Sequence, residues 1–317
     1  MNPSYELVHL ANGAFSIRLL ANGETFHPVI GPMAEAEVLY IRQLKLRERA
    51  ADLGARGVSP AVFGVPPKTS VSGTPTGATG TVAIPISTGD EFVIWDVGLG
   101  AGGNVMTTLR SLKDVPAHLH ILSFDHTLGA LRFTLEHAGA LQFPVGFENA
   151  LNELLRTQRA EFHHGALQVT WEIHVGDFPE ALAAAAPNWP APHAIFFDAF
   201  SPARNPAMWT LPLFENLFRR LDPQRPCGLA TYSRSTIPRV TLLLAGFFVG
   251  AGEPIAEKEE TTVAANTLAL IERPLDARWL ERARTSHSAE PLEVNEYRIA
   301  PLTKETWERL RAHPQFQ

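Results

Sequence analysis

The strongest constraint on the fold is a regular alternation of strand-like and helix-like segments that begins near residue 91. Apolar runs at residues 92–97 and 119–124 are followed by helical patterns over residues 103–113 and 127–138. Strands that alternate with helices of about ten to fifteen residues indicate a mostly parallel sheet with helices on both faces. The sequence therefore predicts an α/β fold of the doubly wound, Rossmann-like kind.

The alternation continues along most of the chain. We expect further strands at residues 167–173, 194–198 and 228–232, and helices at residues 208–221 and 234–245. A closing strand pair is predicted at residues 246–250 and 267–272. With the first two strands, these segments make a sheet of seven strands.

An N-terminal extension comes before the sheet. Residues 5–20 alternate in polarity around Asn12-Gly13, a dipeptide typical of two-residue hairpin turns. Pro32 is tolerated in a first helical turn, and the Ala-, Leu-, Glu- and Arg-rich stretch after it predicts a helix over residues 33–51.

These patterns divide the chain into three regions. Residues 1–90 hold the hairpin, the helix and an excursion over residues 54–90 that is rich in Gly, Pro, Ser and Thr. Residues 91–274 form the main domain. Residues 275–317 contain two short helical patterns and are expected to form a helical tail on its outside.

Composition argues against a disulfide-linked, a zinc-binding and a membrane-spanning protein. The chain has 317 residues, a net charge of −6 and a single cysteine, Cys227. One cysteine excludes an intrachain disulfide framework and a multi-cysteine zinc site, and no histidine pattern suggests a metal site. His163 and His164 are expected in a surface loop. The longest uncharged apolar run, residues 242–251, is too short for a bilayer, which needs about 20 residues. With no signal peptide visible, we expect a cytoplasmic protein that does not contact a membrane.

The glycine-rich turn after the first parallel strand is the clearest ligand signal. Residues 98–104 read Gly-Leu-Gly-Ala-Gly-Gly-Asn. Gly98, Gly100 and Gly103 satisfy the G-x-G-x-x-G pattern of dinucleotide-binding folds. Gly98, Gly100 and Gly102 satisfy the looser pattern of S-adenosylmethionine-dependent methyltransferases. The turn alone leaves both cofactor classes open.

Acidic residues follow the next strands. Asp125 comes after the second strand, where a carboxylate can hold ribose hydroxyls, and Asp177 with Phe178 comes after the third. Either aspartate could instead cap the helix that follows it. Asp198 ends the apolar strand 194–198, at the sheet edge where open α/β folds place their ligands. Phe200, Ser201, Arg204 and Asn205 form a proline-braced loop over that edge.

The segment from Asp198 to Thr210, D-A-F-S-P-A-R-N-P-A-M-W-T, closely resembles D-G-F-A-P-A-K-N-P-x-M-W-T in the methyltransferase domain of the MnmC family. That family makes 5-methylaminomethyluridine at the tRNA wobble position. The resemblance runs over residues 92–248. It includes the glycine turn, Ser123-Phe124-Asp125 and Gly176-Asp177.

The resemblance implies a role for each site residue. Gly98, Gly100, Gly102 and Asn104 would cradle the methionine end of S-adenosylmethionine. Asp125 would hold the ribose, and Asp177 with Phe178 the adenine. Asp198 would be the catalytic residue that orients the acceptor amine. Phe200, Ser201, Arg204 and Asn205 would shape the amine pocket.

The resemblance also implies partners. The substrate would be tRNA carrying 5-aminomethyl(-2-thio)uridine. The chain is too short for the flavin-dependent oxidase domain of many MnmC proteins, which predicts a stand-alone methyltransferase and a separate oxidase. A basic run of the family is replaced here by Ala256-Glu-Lys-Glu-Glu-Thr-Thr262. Arg42, Lys45, Arg47 and Arg49 give a basic helix face that could contact RNA, or simply be solvated.

Other functions stay open on the sequence alone. An aminopropyltransferase or small-amine N-methyltransferase would share the fold and suit the negative charge. Aminopropyltransferases normally carry a second aspartate where Ser201 stands. A non-catalytic nucleotide-binding subunit of a tRNA-modifying complex is a further alternative. A nicotinamide-dependent dehydrogenase is more distant, because only the glycine turn supports it.

Overall fold

A small antiparallel sheet begins the chain in the computed structural model, which describes residues 4–21, 23–27, 29–57, 91–184, 188–256 and 258–317. Its strands are β1 (Tyr5–His9), β2 (Phe15–Leu19) and β3 (Glu24–Thr25), in the order β1-β2-β3. The predicted hairpin over residues 5–20 is confirmed, with Tyr5 paired to Leu19. The third, two-residue strand was not predicted.

The prediction of one continuous helix over residues 33–51 is wrong, because the structure divides this region into three helical segments. The structure has α1 (Pro32–Ala36), a π-helical segment (Glu37–Arg42) and α2 (Leu46–Gly57). Lys45 separates them with a φ of 51°, a conformation that L-residues adopt infrequently. No glycine or proline marks the break. The predicted excursion, from residue 58 to residue 90, lies outside the described residues.

Eight strands form the main sheet of the described chain. They are β4 (Glu91–Val97), β5 (His118–Asp125), β6 (Arg159–His164), β7 (Leu167–Val175), β8 (Ala194–Phe197), β9 (Gly228–Thr231), β10 (Phe248–Gly252) and β11 (Thr261–Ala265). Their order is β10-β11-β9-β8-β4-β5-β7-β6. Strands β7, β5, β4, β8 and β9 are parallel, and β6 and β11 pair antiparallel to their neighbours. The predicted doubly wound fold is confirmed, with one strand more than expected.

Helices connect the strands and follow them. They are α3 (Gly103–Leu112), α4 (Gly129–Glu136), α5 (Ala138–Leu141), α6 (Glu148–Thr157), α7 (Phe178–Ala183), α8 (Leu211–Arg219), α9 (Thr236–Leu244), α10 (Ala277–Thr285) and α11 (Lys304–Arg311). Short 3₁₀ turns occupy Pro206–Trp209, Leu268–Leu270 and Pro314–Phe316. Both predicted helices of the tail, α10 and α11, are present. No helix of the described ranges is long and apolar enough to cross a membrane.

Strand alternation divides the core between the two faces of the sheet. In β4, Phe92 and Ile94 join the cluster that contains α1 and α3, whereas Val93, Trp95 and Val97 join the cluster on the opposite face. Successive side chains of a strand point to opposite faces, so a strand buried on both sides is apolar throughout. This burial explains why residues 92–97 could be recognised from composition alone.

Two further expectations are corrected. The partner of β10 is β11, whereas residues 267–272 contain the 3₁₀ turn Leu268–Leu270. Strand β11 is fully buried although it contains Thr261 and Thr262, because both hydroxyls find hydrogen-bond partners. His163 and His164 lie in edge strand β6 and not in a loop. Exposed polar residues on one side of that strand hide its pattern.

Candidate active site

The carboxyl ends of β4, β5 and β8 meet at one edge of the sheet. Val97 is in register with Phe124 on one side and Phe197 on the other. The backbone N–H of Gly98 donates to the Phe124 carbonyl at 3.0 Å, and that of Asp198 donates to the Val97 carbonyl at 2.9 Å. Because the strands are parallel, the glycine turn and both aspartates emerge side by side, as open α/β folds require of a ligand site.

Gly98 and Gly100 adopt conformations that other residues avoid. Gly98 has a φ of 96°, and a Cβ there would lie 2.7 Å from the carbonyl oxygen of Asp198. Gly100 has a φ of 50°, and its N–H donates to Oδ2 of Asp125 at 2.9 Å. The turn therefore bridges the ends of β5 and β8 through its backbone, and only glycine allows this approach.

Gly102 and Asn104 lie at the start of α3, where the glycine turn ends. Gly102 is the N-cap of α3 with a φ of 75°. Asn104 is buried, and its Nδ2 donates to Oδ2 of Asp198 at 2.8 Å. This bond fixes the orientation of the Asp198 carboxylate. Direct contact of either residue with a cofactor stays a prediction.

Asp125 is held by two backbone donors. Its Oδ2 accepts from Gly100 and its Oδ1 from the N–H of Thr127 at 3.1 Å. Burial raises the pKa of Asp125 and these hydrogen bonds oppose that rise. Each carboxylate oxygen keeps a further lone pair for a ligand hydroxyl.

Asp177 caps a helix, as its position after β7 allowed. Its Oδ1 accepts from the N–H of Glu180 at 2.8 Å at the start of α7. His126 lies 4.0 Å from the other oxygen. Phe178 is buried and its ring lies 4.8 Å from that of Phe124. The predicted contact between Asp177 and an adenine is an additional role that the cap leaves open.

A cavity of about 380 Å³ lies above the sheet edge. The predicted residues that line it are Gly98, Gly100, Asp125, Phe178, Asp198, Phe200, Ser201 and Asn205. The predicted residues outside its lining are Gly102, Asn104, Asp177 and Arg204. Arg204 is exposed, and its Nε lies 3.3 Å from Oε1 of Glu24 at the rim.

Asp198 is a largely buried carboxylate of the cavity wall, with a side chain that is 14% exposed. Its Oδ2 lies 2.8 Å from Nδ2 of Asn104 and 3.7 Å from Nε2 of His27. Burial raises the pKa of Asp198, whereas the positive charge of His27 lowers it. The pKa of Asp198 stays above its ordinary value, because burial outweighs the neighbouring cation.

The N-terminal extension supplies cavity residues that the sequence did not reveal. Tyr5, Phe26, His27 and Glu35 all line the cavity. The rings of Phe26 and Phe200 lie 6.0 Å apart. No spacing along the chain connects these residues with the glycine turn, because the small sheet reaches the site only through tertiary packing.

Lys258 is a further residue that was missed. Its Nζ lies 4.4 Å from the ring centre of Tyr232 in the cavity wall, and burial lowers its pKa. The neighbouring acids have local partners. Glu260 pairs at 2.8 Å with buried Arg239, and Glu259 lies 3.8 Å from Arg234. The acidic run therefore presents less negative charge than its sequence suggests.

The predicted basic face is largely engaged within the fold. Arg49 is mostly buried and donates to the carbonyls of His193 and Pro226, and Arg47 donates to the Ser111 carbonyl. Lys45 pairs with Glu272 at 2.6 Å in an exposed position. Since exposed ion pairs contribute little stability, Lys45 remains available for another anion.

Comparison with known proteins agrees with this geometry. Residues 145–267 match the model of a family described as S-adenosyl-L-methionine-dependent methyltransferase. This part of the chain therefore resembles S-adenosylmethionine-dependent methyltransferases. The match begins near α6 and extends through β11, so it contains the Asp177, Asp198 and Tyr232 segments.

Curated relatives carry the name tRNA 5-methylaminomethyl-2-thiouridine biosynthesis bifunctional protein MnmC. The protein from Aeromonas hydrophila is 32% identical over 177 residues, which cover 50% of this chain and 25% of the relative. The protein from Cupriavidus necator is 28% identical over 208 residues, covering 61% and 30%. The chain thus spans less than a third of the length of these relatives.

A solved structure shares the fold. The crystal structure of MnmC2 from Aquifex aeolicus superposes with a TM-score of 0.61 at 23% identity, over 97% of this chain and 82% of that one. Because the superposition extends over nearly all of this chain, it supports the architecture described above.

The cavity fits S-adenosylmethionine on its own features. Its volume lies within the range of about 300–1,000 Å³ that small-molecule sites occupy. A Cβ at Gly100 would lie 3.7 Å from the ring of Phe26, another cavity residue, so glycine keeps the space between them open. Asp125 offers acceptors for ribose hydroxyls, and Phe178 offers an apolar ring for adenine.

Proposed function

We propose that this chain is an S-adenosylmethionine-dependent methyltransferase that methylates the aminomethyl group of wobble 5-aminomethyl(-2-thio)uridine in tRNA. The observation that carries the proposal is the buried Asp198 carboxylate, which faces the same cavity as the glycine turn and the acceptor loop. The MnmC relatives are named for tRNA 5-methylaminomethyl-2-thiouridine biosynthesis, which supports a tRNA substrate. The proposed sites are those of the sequence prediction, with Asp198 as the catalytic residue.

The chemistry requires a neutral amine held in line with an electrophilic methyl group. S-adenosylmethionine supplies that methyl on a sulfonium sulfur. The amine lone pair forms the new N–C bond while the C–S bond breaks, and the product ammonium then releases one proton. Asp198 would align the amine and stabilise the charge that develops on its nitrogen, which is charge stabilisation of the preorganised kind. Asn104 keeps the carboxylate in place.

The pocket walls suit a flat base. Phe200 and Phe26 lie together on one side, and Tyr232 lies on the cavity wall with its hydroxyl bonded to the Ala199 carbonyl at 3.0 Å. Aromatic side chains stack on bases that are flipped out of single-stranded loops, as an anticodon base must be. Ser201 and Asn205 add polar groups beside them.

The rim would meet the tRNA backbone. Arg204 lies at the cavity mouth beside Glu24, and Lys45 is exposed. With Arg42, these are the residues whose loss we expect to weaken tRNA binding most. Methylation should weaken as salt rises, because contacts with phosphates are electrostatic. A separate flavin-dependent oxidase partner and a cytoplasmic location complete the proposal.

The test uses an anticodon stem-loop that carries 5-aminomethyluridine at the wobble position. We expect transfer of labelled methyl from S-adenosylmethionine to this oligonucleotide. We expect none to a matched stem-loop with unmodified uridine, which lacks the amine. Methyl transfer to putrescine with the oligonucleotide inert would replace the tRNA substrate by a free amine. Formation of methylthioadenosine from decarboxylated S-adenosylmethionine would indicate an aminopropyltransferase.

A further inference from the structure

We propose that His27, oriented by Glu35, is a positioning residue that keeps Asp198 in its ionised form for the acceptor amine. The inference rests on the proposed function, because it gives Asp198 its charge for amine methylation. It assigns a catalytic task to the N-terminal extension, which otherwise only closes the cavity.

The geometry places an imidazole ring between two carboxylates. His27 Nδ1 lies 3.3 Å from Oε2 of Glu35, and Nε2 lies 3.7 Å from Oδ2 of Asp198. The side chains of all three residues are exposed by only 12–14%. A neutral imidazole carries one N–H and can satisfy only one carboxylate, whereas an imidazolium faces both with a proton. The arrangement therefore suits the cationic form.

The backbone holds this ring in place. His27 has a φ of 47°, which few non-glycine residues adopt. Glu35 lies in α1, which packs on the helix that begins at the glycine turn. Sparsely populated backbone conformations persist where the surroundings over-determine them, and they concentrate at functional sites. The strain and the ion triad occur at the same residue.

The other charged groups around His27 agree with the assignment. Burial lowers the pKa of His27, but the Glu35 hydrogen bond and the charges of Asp198, Glu35 and Asp96 together raise it to about 9. Burial raises the pKa of Asp198, and His27 is the strongest group that opposes this. Lys258 lies further round the same cavity, where its charge acts on both Glu35 and Asp198.

Apart from His27 and Lys258, the groups around Asp198 are neutral or negative. The hydroxyls of Tyr40 and Tyr232 stay protonated, since burial raises the pKa of each. Asn104 is neutral, and Glu35 and Asp96 are carboxyl groups whose negative charge would favour a protonated Asp198. Without the imidazolium, Asp198 takes up a proton at higher pH and loses its attraction for a developing ammonium.

The kinetic test is the pH profile of single-turnover methyl transfer in His27→Gln. An opposite charge within about 4–6 Å shifts a carboxyl pKa by roughly 1–3 units, so we expect the acid limb to move up by about one unit or more. His27→Lys, which keeps a cation, should restore part of the shift. His9→Gln makes the same change in strand β1 of the N-terminal extension, outside the cavity lining, and should leave the profile unchanged.

A second measurement does not depend on the acceptor. In the adenosylhomocysteine complex, NMR titration of ¹⁵N-labelled histidine should show His27 protonated up to about pH 9. Glu35→Gln should lower its titration point by at least one unit. If the wild-type protein fails to methylate the stem-loop while His27 titrates as expected, the proposed function fails and the ion triad stands. A His27 that titrates near pH 6.5, or a His27→Gln profile that falls uniformly without moving, overturns the inference.

Discussion

Gly98→Ala tests whether the close approach of the turn to Asp198 is what builds the site. A Cβ at position 98 would lie 2.7 Å from the Asp198 carbonyl oxygen, about 0.7 Å inside ordinary contact at 3.4 Å. The residue would also have to keep a φ of 96°. Both penalties act at the point where β4 and β8 deliver their functional groups.

The two penalties can be separated. A positive φ costs an L-residue about 1–2 kcal/mol, and overpacking adds about 1–3 kcal/mol. Gly146 has a similar φ of 89° but nothing within 4 Å of its Cβ position, so Gly146→Ala carries only the first cost. We therefore expect the free energy of unfolding to fall by about 2–5 kcal/mol in Gly98→Ala and by about 1–2 kcal/mol in Gly146→Ala.

The assay pairs urea unfolding with calorimetric binding of adenosylhomocysteine. Because the collision displaces the cofactor-binding glycine turn together with Asp198, we expect Gly98→Ala to bind the ligand more weakly and to lose about 10²-fold in methyl transfer, the cost of a displacement of about 1 Å. Gly146→Ala should retain wild-type affinity. Equal destabilisation of the two variants, together with unchanged affinity in Gly98→Ala, would refute the close-approach argument.

Four further predictions concern titratable groups. Asp198→Asn should lower kcat about 10²-fold with adenosylhomocysteine affinity preserved, and single-turnover rates within threefold of wild type would make Asp198 structural. Asp125→Ala should weaken adenosylhomocysteine binding by about 1–3 kcal/mol, as calorimetry would show, and unchanged affinity would leave it only a structural acceptor. Asp177→Ala removes a helix cap and should lower the free energy of unfolding by about 1 kcal/mol. If Asp177 also holds adenine, the affinity for adenosylhomocysteine should fall about tenfold as well. Folded His27 binds its proton more tightly than the unfolded chain does, so stability should fall by up to about 3 kcal/mol from pH 6.5 to about 9. Unfolding curves of His27→Gln should lack that fall.

Local sequence patterns predicted those site residues that follow strands of the main sheet. Apart from Asp96 and Asp198, residues 92–97 and 194–198 are apolar because their strands are buried on both faces, so these strands could be recognised from the sequence. Carboxyl ends of parallel strands share one edge, and this rule alone brought Gly98, Asp125 and Asp198 together. The break at Lys45 and the edge strand β6 were not predicted from the sequence. Neither contains a glycine, a proline or an apolar run that would have indicated it.

Tertiary structure added contacts within the protein that the sequence did not show. Asn104 donates to Asp198, Asp177 caps α7, and Arg204 lies at the rim beside Glu24, whereas the ligand contacts predicted for all three stay predictions. Hydrogen bonding and burial depend on neighbours from distant segments, and a single sequence does not show those neighbours.

The contribution of the N-terminal extension shows the same division most clearly. The chain itself determines a hairpin around Asn12-Gly13, because turn chemistry and alternation act over a few residues. That the segment after it brings His27 against Asp198 depends on how the small sheet packs over the main one. Packing is a long-range, collective effect, so the charge that sets the state of Asp198 could be found only in the folded protein.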